Sequence, residues 1–282
     1  MNREGPEYWL TRHAQSVSGV DKTLPLTPEG VEQTKERARV LAEMIAEAPP
    51  GTVIFHGGVS PFTRTRLTIG AYTNELKELL KDREDVMFVD REEIHEDAKR
   101  VGYLETARGV VRKAEVSPDA KVVIDLPLAL KGLMDENQFY FPNGEVKPEW
   151  MALLVKHGKD FTSAVKEWFS MQPRTDDALP DPYHIAESYI RDMRRLDEFA
   201  KRFFPDRPRR VTFVGHSFAI DALLTYIANE GEITPEGFEK IGGRVVSETE
   251  LSIIEPGTSM KLHYRDQDFE LPSSESGTAI NE

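Results

Sequence analysis

The 282-residue chain contains no cysteine. Disulfides, thiolate metal sites and a cysteine nucleophile are therefore excluded, and any covalent chemistry falls to other side chains. No apolar run is long enough to span a bilayer, and the opening residues, Met1 to Glu7, lack the apolar stretch of a secretory signal, so a cytoplasmic location is expected. A glycine-rich nucleotide loop and a His-x-x-x-His pair are also missing, which leaves NTP binding and zinc hydrolysis without support. No cofactor and no metal is expected. Positive charge is in short supply, with 36 Lys and Arg against 49 Asp and Glu and a net charge of −13. That balance argues against a nucleic acid or an acidic membrane surface as partner. It does not argue against a small phosphorylated molecule, because a few arginines gathered in a pocket set the local field.

The apolar content of 39% and charged content of 30% are ordinary for a globular protein, and the length suffices for one large or two small domains. Tyr8-Trp9-Leu10-Thr11 reads as a short buried strand that delivers Arg12 and His13 at its end. Thr27-Pro28-Glu29 reads as N-cap, first helical residue and first-turn acid, and Val31, Thr34, Ala38, Leu41 and Ile45 continue the helix at 3-4 spacing. Thr52 to Phe55 is a second strand, followed by a loop from His56 to Val59. His56 is a weak candidate to line a pocket, against the commoner role of a packed core histidine. Ser60-Pro61 opens a second helix as cap and first residue. Arg64 then falls in its first turn, where free N–H groups favour an anion, while Arg66 points elsewhere. Val86 to Val89 is a third strand and runs into the acidic stretch Asp90 to Asp97.

Beyond it, Lys121 to Leu126 reads as an extra strand, Phe139 to Gly144 as an aromatic turn, Trp150 to Phe169 as helical and Arg174 to Pro182 as a linker. The basic run Lys99, Arg100, Arg108, Arg112 and Lys113 is best read as a solvated helix face. A long helix from His184 carries the stripe Ile185, Tyr189, Met193, Leu196, Ala200 and Phe203. Val211 to Val214 is a strand that releases His216, and Ala219, Ala222, Leu223, Tyr226 and Ile227 mark the buried face of the next helix. Thr234-Pro235 starts a short helix, and Glu250 to Glu255 with Ser259 to Tyr264 read as closing strands. His95, His157, His184 and His263 stand in no motif. Strands alternating with helices imply an α/β fold: a three-layer α/β/α sandwich around a mostly parallel sheet, with an inserted cap segment. The expected division is residues 1–98 and 205–271 as the catalytic core, 99–183 as the inserted cap, 184–204 as a core-packing helix and 272–282 as a mobile tail. Ligands in such sheets bind at strand C-terminal ends, where Arg12, His13 and His216 all emerge.

An Arg-His pair alone says nothing, since such pairs are common. Four segments in order say more: Thr11-Arg12-His13-Ala14, Leu26-Thr27-Pro28-Glu29-Gly30, Ser60-Pro61-Phe62-Thr63-Arg64 and Val214-Gly215-His216-Ser217. Together they resemble the histidine phosphatase (phosphoglycerate mutase-like) superfamily, phosphatase-type members of its first branch. The resemblance covers the first hundred or so residues and about sixty from Arg209 on. It implies His13 as the nucleophile that becomes phosphohistidine, His216 as its catalytic partner, and Arg12, Arg64, Ser16 and Ser217 as phosphate-binding residues. A possibly charged His216 would help hold His13 neutral. The resemblance places a proton-donating acid after the third strand, and Glu96 in Ile94-His95-Glu96 fits best, with Glu93 and Asp97 competing. For each of the three, an exposed charge run is the plain alternative. The expected activity is metal-independent hydrolysis of a phosphorylated small molecule, with unknown oligomeric state. A phosphoprotein or phosphohistidine phosphatase is the alternative. A phosphoglycerate mutase is less favoured, because Val17 to Asp21 lacks the mutase signature, and a non-catalytic binding protein of the same fold is the remaining option.

Overall fold

The computed structural model describes residues 5–17, 25–133, 139, 147–171 and 179–272. In chain order the strands are β1 (Glu7–Arg12), β2 (Val53–Val59), β3 (Val86–Val89), β4 (Lys121–Ala129), β5 (Arg209–Gly215), β6 (Leu251–Glu255), β7 (Met260–Tyr264) and β8 (Gln267–Leu271). The helices are α1 (Pro28–Glu47), α2 (Thr63–Leu80), α3 (Arg91–Val101), α4 (Tyr103–Val116), α5 (Pro148–Lys156), α6 (Phe161–Ser170), α7 (Pro182–Phe203), α8 (Ser217–Ala228) and α9 (Pro235–Lys240). All strands join one sheet in the order β3-β4-β2-β5-β1-β6-β7-β8. Pairing is parallel from β3 to β1 and antiparallel from β1 to β8.

Strand side chains alternate faces, and both faces are covered. Trp9, Ile54, Val59, Val123 and Val214 pack beneath Ala38, Leu41 and Ile45 of α1 and Ile69, Tyr72 and Leu76 of α2. Tyr8, Leu10, Val53, Phe55, Val122, Ile124, Val211 and Phe213 share the opposite core with α7 and α8. Thr27 caps α1 by accepting from the Gly30 N–H, and Thr234 caps α9 by accepting from that of Gly237. At the N-terminal edge, Arg207 donates to the carbonyls of Gly51, Ala114, Pro118 and Ala120, tying together the approaches to β2, β4 and β5. Among the described residues no helix is long and apolar enough to cross a membrane.

Several expectations change. Val31 is exposed, so the buried stripe of α1 begins at Gly30 and Thr34. The stretch His56 to Val59 is not a loop but the second half of β2, shifted by a bulge between His56 and Gly58. α2 starts at Thr63 with Phe62 at its N-cap, so Ser60 and Pro61 stand outside it. The acidic stretch after β3 is helix α3. β4 lies inside the sheet between β2 and β3, paired with both, so the run through residue 129 belongs to the core and not to an insertion. The boundary follows from β4 being an apolar parallel strand that needs cover on both faces. α5 and α6 remain outside the sheet. Their Trp150 and Phe161 rings lie 4.9 and 5.7 Å from that of Phe218, which directly follows Ser217 at the C-terminal end of β5. Phe139 is buried against Trp150. The rest of the aromatic turn, most of the 174–182 linker and the 273–282 tail lie outside the described residues.

Candidate active site

The site begins with register. β1 and β5 run parallel with Arg12 opposite Gly215, and the His13 N–H donates to the Gly215 carbonyl at 3.0 Å. The next residue of each strand is a histidine, so the rings of His13 and His216 meet with centres 4.9 Å apart. Gly215 lets α7 pack closely against the end of β5, because a Cβ there would run into the Tyr189 hydroxyl.

The Nδ1 of His13 lies 2.8 Å from the carbonyl oxygen of Ala14. A carbonyl only accepts, so Nδ1 carries the hydrogen and Nε2 keeps its lone pair. Burial is the main force keeping this ring neutral. The Arg64 guanidinium adds to it, the Ala14 bond opposes it and Arg12 contributes least, leaving the pKa pushed down to about 3.

His216 is oriented from both sides. Its Nδ1 accepts from Arg64 Nη2 at 3.0 Å, and its Nε2 lies 2.7 Å from Ser60 Oγ. Since Nδ1 faces a guanidinium, the hydrogen sits on Nε2 and is donated to Ser60. Ser60 then passes a bond to Thr65 Oγ1 at 3.2 Å, and Thr65 donates to the Phe62 carbonyl at 2.7 Å. This relay is the role of Ser60, in place of the helix cap read from sequence. His216 is neutral, not charged: burial, Arg64, His13 and Arg12 all hold its pKa well below the ordinary histidine value. Arg64 also lies over the Phe62 ring, 4.5 Å from its centre, which fixes the guanidinium plane.

Arg12 is held from the other flank of β1. Its Nη1 donates to the Val246 carbonyl at 3.0 Å, and its Nη2 pairs with Glu248 Oε1 at 3.1 Å. The Val246 N–H donates to Asp221 Oδ1 at 2.8 Å. Asp221 lies buried on α8, where burial pushes its pKa up to about 8 against the Val246 bond and Arg12. Helices α2 and α8 begin beside these groups, and neither Phe62 nor His216 supplies a side-chain cap. Two helix N-termini, two guanidiniums and two neutral histidines suit an anion, and of the two unprotonated ring nitrogens Nδ1 of His216 is taken by Arg64.

The remaining candidates fall elsewhere. Ser16 bridges Leu26 by backbone, and Ser217 is buried at the first position of α8; among the described residues neither hydroxyl bonds Arg12, His13, Arg64 or His216. Glu96 is exposed on α3 and bonded to Lys99 at 2.7 Å, which holds its pKa below the ordinary value, opposite to the shift a donor needs. The cause is helical: Ile94 enters the core, and a residue two positions on is turned by about 200°, toward solvent. Glu93 pairs with Lys113 and Asp97 with Arg100, so the whole acidic stretch is a salt-bridged surface. His56 is buried in β2, where its ring donates to the Ile69 carbonyl and its Nε2 has no partner. It is a core residue and not part of the pocket.

Val246 and Glu248 escaped the sequence reading. Their access to the site depends on β6 pairing antiparallel with β1, Thr11 opposite Leu251, which brings the lead-in of β6 to the C-terminal end of β1. The available signal was the charged run Ser247 to Glu250 directly before an apolar strand. Among the described residues no three His, Asp or Glu side chains gather as a metal site requires.

No family model and no curated protein sequence matches the chain. Solved structures do. A mycobacterial glucosyl-3-phosphoglycerate phosphatase matches at 12% identity over 96% of this chain and 99% of its own, with a TM-score of 0.48. YhfR of Bacillus stearothermophilus matches at 11% over 93% and 97%, with 0.46. A phosphoglycerate mutase of Bacillus anthracis matches at 15% over 97% and 94%, with 0.45. All three are members of the histidine phosphatase superfamily. Likeness at this level does not carry the functional argument, which rests on the side chains.

Proposed function

We propose that the chain is a histidine phosphatase that transfers a phosphoryl group from a phosphorylated small molecule to His13 and then to water, without a metal ion. The observation that carries this reading is the tautomer of His13, with Nδ1–H on Ala14 and an Nε2 lone pair beside two arginines. A neutral imidazole attacks phosphorus. Arg12, Arg64 and the N-termini of α2 and α8 stabilise charge on the three non-bridging oxygens. The Ala14 carbonyl favours the positive charge that His13 acquires as the N–P bond forms. His216 works through Arg64, presenting a lone pair that fixes the guanidinium while Ser60 fixes the ring. The α5–α6 pair, packed beside the start of α8, is the substrate-covering element in this reading.

Rapid quenching with a labelled aryl phosphate tests it. The expected product is a phosphoenzyme stable to base and labile to acid, absent from His13→Asn, whose turnover falls by about three orders of magnitude or more. Turnover by His13→Asn near the parent rate overturns the assignment.

A further inference from the structure

We propose that Glu248 is the acid that protonates the leaving group, a role that rests on the phosphatase reading above. Glu96, Glu93 and Asp97 are tied up in surface ion pairs, which directs attention to acids on other described elements. Glu248 reaches Arg12 itself, at 3.1 Å from Nη2, while Nη1 is occupied by the Val246 carbonyl. The arm of the guanidinium that a phosphoryl oxygen takes is thus the arm that Glu248 now holds. Its side chain is 22% exposed, against 74% for Glu96, so it is reachable by substrate yet partly withdrawn from water.

The backbone on either side of Glu248 is pinned. Val246 is bonded through its N–H to Asp221 and through its carbonyl to Arg12, and the Ser247 N–H donates to Glu250 Oε2 at 2.8 Å. Glu250 in turn takes two bonds from Arg265, at 2.7 and 2.9 Å, and one from the Tyr264 hydroxyl at 3.0 Å. A carboxyl on such a support is held in place rather than swept through solvent. It also stands on the correct flank. Arg64 and His216 come from the β2 and β5 side of β1, whereas Glu248 comes from the β6 side. With the phosphoryl group among His13, Arg64 and Arg12, Glu248 stands on its β6 side.

The exchange balances. Substrate arrives as the monoanion, its phosphoryl oxygens take Arg12, and its proton passes to the displaced Glu248. His13 Nε2 then bonds to phosphorus as the ester P–O bond breaks. The electron pair stays on the leaving oxygen, which takes the proton from Glu248 and departs as an alcohol. In the second half, Glu248 accepts a proton from the attacking water as the O–P bond forms and the N–P bond breaks, which returns a neutral His13; the proton then passes to the phosphate, which leaves as the monoanion while Glu248 pairs again with Arg12.

The test compares Glu248→Gln with the parent on glycerol 2-phosphate, whose leaving group needs a proton, and on 4-nitrophenyl phosphate, whose leaving group does not. The expected result is a fall of about 100-fold in the ratio of alkyl to aryl kcat/KM, which covers the steps through ester cleavage and leaves out the dephosphorylation that both substrates share. The ratio cancels any loss of folded enzyme, which lowers both rates alike. A ratio within about threefold of the parent's overturns the proposal. So does a faster enzyme with a lowered KM, which would make Glu248 only a competitor for Arg12. A parent protein that hydrolyses neither ester overturns the phosphatase reading, and this proposal with it.

Discussion

Replacing His56 by leucine should make the protein less sensitive to acid, by an amount that follows from its burial. In the folded chain His56 lies inside the sheet-to-α2 layer; burial, with Arg91 adding to it and the Ile69 bond opposing, pushes its pKa down to about 3. The unfolded chain restores the ordinary value near 6.5. The folded form therefore binds fewer protons throughout the window from about 6.5 down to 3, and stability declines as pH falls through it. Above the window the term is absent. At pH 5 a single such histidine costs about 2 kcal/mol relative to pH 7, or about 1.4 kcal/mol for each further pH unit. His216 and His13 act in the same direction. Asp221 acts in the opposite direction, since it stays protonated when folded up to about pH 8. These terms are common to both proteins and cancel in the comparison. Urea unfolding at pH 7 and pH 5 should show the parent losing about 2 kcal/mol more than His56→Leu. At pH 7 the variant also removes an unpartnered Nε2, so only the pH dependence bears on the argument. Parallel pH profiles for the two proteins would refute it, and would mean that water or a partner reaches His56 in the folded state.

Arg64→Met should lower kcat/KM by about two to three orders of magnitude, since it removes a phosphate donor and strands the His216 Nδ1 lone pair; steady-state kinetics showing less than tenfold loss would contradict that role. Glu96→Gln, in contrast, should leave turnover of alkyl phosphates within about twofold, because an exposed i,i+3 ion pair contributes little. A collapse of activity in that variant would return the acid to α3.

What could be read in advance was whatever depends on local sequence. Arg12, His13 and His216 leave strands that are short and apolar, and Thr27 and Thr234 announce their helices by a hydroxyl followed by proline. The failures share a different cause. Gly57-Gly58 punctuates a sequence like a loop, yet Gly58 is strand because Phe213 packs where its Cβ would be. β8 went unread because its hairpin turns on Arg265 and Asp266, both left-handed at φ 50° and 59°, with no glycine to mark them. Glu96 failed because a hydrophobic-x-Glu pattern places the acid correctly after a strand and wrongly on a helix. Glu248 failed because nothing in one stretch of chain records which distant strand lies beside it.

The strand order carries a consequence for how the molecule is made. Tyr8 in β1 finds its neighbours in Val211 of β5 and Ile254 of β6, so β1 is made about 200 residues before the strands that pair with it. Through most of synthesis Tyr8, Trp9 and Leu10, all buried in the finished protein, have no strand to lie against. Long-range pairing of this kind slows folding and leaves sticky intermediates. Arg12 and His13 acquire their surroundings only when β6 and its lead-in arrive, so catalytic competence should come late and all at once. A nascent chain halted before residue 251 should be inert and a ready client for a chaperone.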